Sequence, residues 1–390
     1  MTKMKIIQYC QHVLGIGHYF RSLEIARALS GHQLVLVTGG PPVHTELPSH
    51  VIEYKLPGLQ MDSDFTAIFP TESNRSLEEV QEERQALMYT LFEKTDPNLF
   101  IVELYPFGRK RFGFELLPLL KATRGGEFGS TKVICSLRDI LVEKENTQAY
   151  ERKVLDLLNN YFDALLVHAD ANLVSLDETF DSTAEIKIPV VYTGFVTERP
   201  SPNAGKVLRE RLGLKGNEAL VVVSAGGGSV GAELLRAVLK AHARWVDGRR
   251  LHLYIFTGPF MTEADFASLA ELVSSMDGVQ LNRFTPEFLS YLAAADLSVS
   301  MAGYNTCMNI LATGVSSLVW PFGQNREQRL RAEKLAALGA LTILEQEDLK
   351  PSRLAASMKR ALDAGRHRSS TSVNLDGAEG TVRWLEERYG

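Results

Sequence analysis

A chain of 390 residues is too long for one ordinary domain and fits two of typical size. An apolar share of 45% and a charged share of 23% are those of a globular protein that buries real cores, which excludes a disordered or fibrous class. A formal charge of −5 gives no global attraction to nucleic acid, and none is expected as a partner.

Cys10, Cys135 and Cys307 are scattered and odd in number, against a disulfide framework and without metal-ligand spacing. They suit a reducing compartment. No stretch nears the roughly 18 apolar residues of a membrane span, and no secretory leader is read at the start. The expectation is a cytoplasmic protein, with peripheral membrane contact left open.

In chain order, residues 5–10 predict a strand and a glycine-bearing loop follows. Residues 19–30 predict a helix, with Phe20, Leu23, Ile25, Ala26, Ala28 and Leu29 at helical spacing. Strands are expected at 33–38, 99–104, 132–137, 164–168 and 190–193, with helical stretches between several of them. The connection 58–76, polar but carrying Phe65, Ile68 and Phe69, reads as a mobile lid or as an apolar edge that meets a membrane-bound acceptor. Residues 198–205 are polar and proline-bearing, as a linker is. The pattern then restarts, with a strand at 219–224, a tight loop at 226–229 and a helix at 233–245. Strands follow at 252–257, 279–281, 297–300 and 317–320, and a last helix at 379–389. Strand and helix in alternation, twice over, predict an α/β protein of two doubly wound Rossmann-like domains facing across a cleft. The expected division is 1–196, 197–370 and a terminal segment 371–390 that packs back toward the first domain.

Three loops have the make-up of anion sites: Leu14-Gly15-Ile16-Gly17-His18, Gly226-Gly227-Gly228-Ser229 and Ala302-Gly303-Tyr304-Asn305-Thr306. Glycines let backbone N–H groups approach a phosphate at a helix N-terminus. One such loop is as well explained by a tight strand-to-helix turn; three in matching positions favour a ligand cleft. None ends in Gly-Lys-Ser/Thr, against an ATPase. Gly15-Ile16-Gly17 lacks the third glycine of the dinucleotide fingerprint.

Met301-Ala302-Gly303-Tyr304-Asn305-Thr306, with Pro321-Phe322 further on, resembles the donor domain of GT-B glycosyltransferases, above all the peptidoglycan N-acetylglucosaminyltransferase and its relatives. Ser136-Leu137-Arg138-Asp139-Ile140 and Phe100-Ile101-Val102-Glu103 resemble a further branch of predicted glycosyltransferases. The resemblance implies an acceptor-side first domain and a second domain that binds a nucleotide-diphosphate sugar, with uridine the first choice of base. It implies inverting transfer without a cofactor, and helix dipoles with fixed N–H donors can stabilise the leaving diphosphate without a metal.

By the same resemblance, Gly228 and Ser229 face the donor phosphates, and Gly303, Tyr304, Asn305 and Thr306 complete the cradle, Ser229 and Thr306 offering hydroxyl protons. Phe284 and Thr285 fall where the base packs, and Gln328 where sugar hydroxyls bind. Arg329 beside it pairs with a phosphate or a carboxylated sugar, or is a solvated helix arginine. Asn309 stands where relatives place a ribose-binding glutamate, which leaves the base open. Gly15, Gly17 and Arg21 belong to the acceptor side. Deprotonating the acceptor hydroxyl needs a general base; His18 is the first candidate, with Asp139 and Glu103 behind it, and a carboxylate there acts as base, orients His18 or pairs with Arg138. His168, near Asp170, reads as a satisfied core histidine. Arg109-Lys110-Arg111-Phe112 is a solvated face or a site for an anionic acceptor. The acceptor is unassigned, lipid-linked or a small molecule. A hydrolase of the same fold, or a catalytically silent nucleotide-sugar-binding partner, is the competing reading.

Overall fold

The computed structural model describes residues 3–12, 17–41, 43, 45–61, 67–141, 146–228, 230–323, 326–366 and 373–390. The chain divides into two compact units, Met1–Val196 with Val373–Gly390, and Thr197–Ser372.

The first unit is built on a parallel sheet of β1 (Lys5–Tyr9), β2 (Gln33–Thr38), β3 (Val51–Lys55), β6 (Leu99–Glu103), β7 (Lys132–Arg138), β8 (Ala164–His168) and β9 (Val190–Tyr192). A small antiparallel pair, β4 (Leu59–Met61) and β5 (Ile68–Pro70), stands apart from it. The strand order is β3–β2–β1–β6–β7–β8–β9. Helices α1 (Gly17–Ala28), α2 (Leu77–Thr95), α3 (Gly113–Arg124) and α4 (Thr147–Tyr161) belong to the crossovers.

Parallel strands covered on both faces are apolar almost without interruption. In β6 and β8 every residue is buried. Their last residues, Glu103 and His168, are therefore carried inside with the rest. The helix α2 starts where Ser76 and Glu79 cap each other: the Ser76 hydroxyl accepts from the Glu79 N–H at 3.2 Å, and the Glu79 carboxylate from the Ser76 N–H at 2.9 Å. It ends at Asp96 in the left-handed conformation, just before Pro97.

In the second unit the sheet comprises β10 (Ala219–Ser224), β11 (Leu251–Phe256), β12 (Val279–Asn282), β13 (Leu297–Met301), β14 (Ser317–Trp320) and β15 (Thr342–Ile343). Its order is β12–β11–β10–β13–β14–β15, again parallel. The helices are α5 (Ala204–Arg211), α6 (Ala232–His242), α7 (Glu263–Val273), α8 (Phe288–Ala294), α9 (Tyr304–Thr313), α10 (Arg326–Ala337) and α11 (Pro351–Ala364). Val221, Val223, Leu253, Ile255 and Val299 form its core with Leu234, Val238, Leu354 and Met358.

The last helix, α12 (Gly377–Tyr389), returns to the first unit. Its Ala378 and Leu385 join the core of Leu23, Ile25, Ala26 and Leu166. The entering chain is fixed by Asp170, whose carboxylate accepts the Asn374 N–H at 2.9 Å, and by the Phe195 N–H, which donates to the Asn374 carbonyl at 2.8 Å.

Within the connection 58–76, Leu59–Met61 pairs antiparallel with Ile68–Pro70. Phe65 lies outside the described residues. Phe69, in β5, is 39% exposed.

Candidate functional site

In each unit the strand order reverses direction between two neighbouring strands, β1 and β6 in one, β10 and β13 in the other. Ligands of open α/β sheets bind beyond the carboxyl ends of strands at such a point.

In the first unit this place holds a buried charge cluster. His18 is the second residue of α1, and Glu103 is the last of β6. His18 Nδ1 lies 2.6 Å from Glu103 Oε1, and Arg21, one turn further along α1, donates to the same oxygen from Nη2 at 2.5 Å. Arg21 Nη2 also sits 3.1 Å from His18 Nδ1. A guanidinium only donates, so Nδ1 cannot serve both neighbours. A proton on Nδ1 facing the carboxylate satisfies the shorter contact and leaves the Nε2 lone pair free. Glu103 and Arg21 side chains are 2% and 3% exposed, whereas His18 keeps 21% of its surface.

The electrostatics favour the neutral imidazole. Burial lowers the His18 pKa, Arg109 and Arg21 lower it further, and Glu103 opposes them; the result is about 3, from 6.5. The positive end of α1 acts in the same sense. For Glu103, burial alone would favour the neutral acid, but His18, Arg21 and Arg109 outweigh it and hold the carboxyl well below its usual range. The described contacts of His18 do not include Asp139, which is fully buried directly after β7. His168 is closed in, with Ser136 Oγ 2.7 Å from Nε2 and Thr193 Oγ1 2.8 Å from Nδ1. Gly17 opens α1; Gly15 lies outside the described residues.

In the second unit, the loop after β10 turns through Gly226 and Gly228, both at positive φ. At Gly228 a Cβ would lie 2.4 Å from the Thr257 carbonyl oxygen, so the loops after β10 and β11 touch backbone to backbone. The Phe260 N–H donates to the Gly227 carbonyl at 2.9 Å, and the Gly258 N–H to the Arg283 carbonyl at 2.8 Å. Three consecutive loops are thereby laced together. Phe260 and Phe284, 39% and 47% exposed, project from the second and third of them, and Thr285 Oγ1 caps the Glu287 N–H. Ser229 lies outside the described residues.

After β13, Gly303 precedes α9, and nothing lies within 4 Å of where its Cβ would be. Thr306 is 7% exposed, Asn305 is half-buried, and the Tyr304 ring is covered by the Arg331 guanidinium at 5.4 Å. Asn309 Oδ1 accepts from Thr197 Oγ1 at 3.3 Å. Gln328 Oε1 accepts the Phe322 N–H at 3.1 Å, which fixes the loop after β14. Arg329 Nε donates to Glu333 at 2.7 Å and Nη1 to Glu345 at 2.9 Å, with 42% of the side chain exposed. In this structure it is a surface ion-pairing arginine of α10.

Gly228 and the Gly303–Thr306 segment thus follow adjacent strands, and His18, Glu103 and Arg21 form one cluster. Phe260 and the Thr257-Gly258-Pro259 turn belong to the site as well, and a Gly-Pro pair after a strand is the turn signal that marks them in the sequence. Arg109 stands in the basic run whose two readings are a solvated face or an anionic-acceptor site, and its side chain is only 10% exposed. Among the described residues no group of three His, Cys, Asp or Glu side chains could hold a metal ion, and no helix is long and apolar enough to cross a membrane.

Residues 221–378 match the glycosyltransferase family 28 C-terminal domain. The match covers most of the second unit and runs on to the start of α12. A Vibrio vulnificus UDP-N-acetylglucosamine–N-acetylmuramyl-(pentapeptide) pyrophosphoryl-undecaprenol N-acetylglucosamine transferase is 28% identical over 149 residues, 38% of this chain and 41% of that enzyme. An uncharacterized glycosyltransferase of Methanopyrus kandleri is 24% identical over 202 residues, 50% of this chain and 54% of the relative. The chain therefore spans about half or less of these relatives' lengths. Over the whole chain, the calicheamicin glycosyltransferase CalG4 superposes with a TM-score of 0.59 at 16% identity, covering 100% of this chain and 96% of CalG4. Acinetobacter baumannii MurG does so at 0.56 and 14%, covering 98% and 99%. The architecture is that of the GT-B glycosyltransferases, with two Rossmann-like units.

Proposed function

We propose that this protein transfers a sugar from a nucleotide-diphosphate donor to an acceptor hydroxyl, with inversion and without a metal, and that UDP is the nucleotide. The observation that carries the reading is the family match across the unit whose glycine loops follow β10 and β13. The resemblance of the Gly303–Thr306 segment to donor loops supports it.

In this reading the second unit holds the diphosphate. Backbone N–H groups at the N-termini of α6 and α9 and the Thr306 hydroxyl stabilise the charge that builds on the leaving group. Phe284 flanks the base, with Phe260 beside it. Asn309 sits near the ribose without the charge of a glutamate. The first unit supplies the base. His18 Nε2 takes the acceptor proton as the acceptor oxygen bonds to the anomeric carbon. The carbon–oxygen bond to the diphosphate breaks, and its electron pair leaves with the phosphate. Glu103 holds Nδ1 and balances the imidazolium as it forms, the part a buried carboxylate plays beside a catalytic histidine. The protein is placed in the cytoplasm, peripheral to a membrane if its acceptor is lipid-linked.

A thermal-shift screen of nucleotide diphosphates, followed by donor turnover with and without candidate acceptors, tests the reading. UDP should raise the melting temperature, and transfer should require an acceptor. No stabilisation by any nucleoside diphosphate would sink it, and release of free sugar alone would assign a hydrolase.

A further inference from the structure

The buried cluster of the first unit contains one group with no assigned task. Arg109 precedes a short 3-10 turn, Lys110–Phe112. Its side chain is only 10% exposed, yet among the described residues the guanidinium makes no hydrogen bond, and its Nε is buried without a partner. Its nearest charge is Glu103 Oε2 at 3.8 Å, beyond hydrogen-bond range, and that oxygen is also buried and unpartnered. Glu103 Oε1 already serves His18 and Arg21. Among these four groups, two guanidinium charges face one carboxylate while the imidazole is neutral.

Buried donors without partners are rare, because each forfeits its hydration. A buried guanidinium is costlier still unless something pairs with it. Nor does the loop give Arg109 room to escape. Leu104 and Arg109 both have left-handed backbones, at φ 66° and 58°. The segment between them is pinned at Leu104 N to the Ser136 carbonyl, at Gly108 N to the Leu104 carbonyl, and at the Phe107 carbonyl by the Tyr150 hydroxyl. Non-glycine residues in that region store backbone strain that tends to cluster at ligand sites. The neighbouring basic residues differ: Lys110 and Arg111 are exposed, and Lys110 Nζ lies 5.0 Å from the centre of the Tyr150 ring. Only Arg109 turns inward.

We propose that Arg109 is an oxyanion-binding residue of the acceptor site: it pairs with a phosphate or carboxylate on the acceptor and so sets the acceptor hydroxyl at His18. A guanidinium fork fits either oxyanion in bidentate fashion. The link to the acceptor rests on the transferase reading above; oxyanion binding at Arg109 does not.

The test is titration calorimetry of the whole chain with inorganic phosphate, with acetate and, separately, with UDP, for the wild type, Arg109→Gln and Arg109→Lys. The proposal expects Arg109→Gln to weaken phosphate or acetate at least tenfold at an unchanged UDP affinity. Arg109→Lys, which keeps the charge but loses the fork, should weaken the same anion by a smaller factor. The stronger of the two anion responses in the wild type says whether phosphate or carboxylate is the natural group. Equal anion affinity in wild type and Arg109→Gln overturns the proposal. If Arg109→Gln does not fold, Arg109→Lys decides: wild-type anion affinity in that variant overturns it too. Absence of UDP binding in the wild type would instead strike at the transferase reading and leave the anion result to stand by itself.

Discussion

Nδ1 of His18 and Oε1 of Glu103 lie 2.6 Å apart, at the start of a helix and the end of a neighbouring strand. The contact fixes which ring nitrogen is free, so the two residues predict different mutant kinetics. If His18 is the proton acceptor proposed above, His18→Ala should lower turnover by about 10²–10⁴-fold, with UDP affinity unchanged within twofold. Glu103→Gln keeps an oxygen for Nδ1 but not the charge that balances the imidazolium. Turnover should fall less than in His18→Ala, at an unaltered donor KM. Steady-state kinetics and calorimetry on both variants decide; a collapse of donor affinity in His18→Ala would make His18 a binding residue and end its assignment as base.

The same burial that keeps His18 neutral has a consequence for stability. Burial and Arg21 hold His168 at about 3, and burial, Arg109 and Arg21 bring His18 to a similar value. Between pH 6.5 and about 3 the unfolded chain binds protons that the folded chain refuses, so stability falls as the pH falls through this window. Each histidine adds a slope of about 1.4 kcal/mol per pH unit once its unfolded form is fully protonated. Glu103 acts in the same direction only below its unfolded value of 4.5. Urea unfolding at pH 5.5 and 4.5 should therefore show a slope about 1.4 kcal/mol per unit smaller in His168→Gln than in the wild type. An identical slope would mean that His168 is protonated in the native protein.

The strands were legible where the sheet is covered on both faces. Residues 33–38, 164–168, 219–224 and 317–320 form strands with those very bounds, because buried parallel strands write themselves as apolar runs. The edges were not. Val51–Lys55 has one neighbour, alternates Ile52 and Tyr54 with charges, and leaves Ile52 67% exposed, so it carries no such run. In β4–β5 each strand has three residues, too few to set a period. The glycine loops could be placed because backbone approach demands glycine. Whether Glu103 or Asp139 orients His18 stayed open in the sequence, since 85 residues separate His18 from Glu103 and only the order of the strands brings β1 beside β6. Arg109 was read from the charge of its neighbours, while its inward turn is set by a left-handed backbone that no spacing announces.

Arg84 and Glu115 are both completely buried and pair through two hydrogen bonds, Nε to Oε2 at 2.8 Å and Nη2 to Oε1 at 2.6 Å. Arg84 also holds the Pro57 carbonyl at 2.7 Å and Gln11 Oε1 at 3.1 Å, just after β1. Tyr9 donates its hydroxyl to the same carboxylate. Removing one partner strands the other charge, so Arg84→Met should destabilise the protein by about 3–5 kcal/mol. Adding Glu115→Leu removes the stranded carboxylate and should recover part of that loss. Denaturant unfolding of the two singles and the double measures the coupling. Additive losses would show that the pair acts as two independent contacts.

Two glycines in the second unit should separate what the fold requires from what a ligand requires. At Gly228 φ is 91° and a Cβ would stand 2.4 Å from the Thr257 carbonyl oxygen. Alanine there forces a backbone into strain and pushes two loops apart, so Gly228→Ala should lower the melting temperature as well as UDP affinity. Gly303 has an ordinary extended φ of −66° and open space where its Cβ would be. The free protein has no steric reason for glycine there. Gly303→Ala should leave the melting temperature of the unliganded chain within about 1 °C of the wild type, a surface-like change. In the proposed donor site its methyl group would stand where the diphosphate approaches the N-terminus of α9, and UDP should bind at least tenfold more weakly. A Gly303→Ala protein that melts and binds UDP as the wild type does would place the diphosphate elsewhere and remove the α9 N-terminus from the donor site.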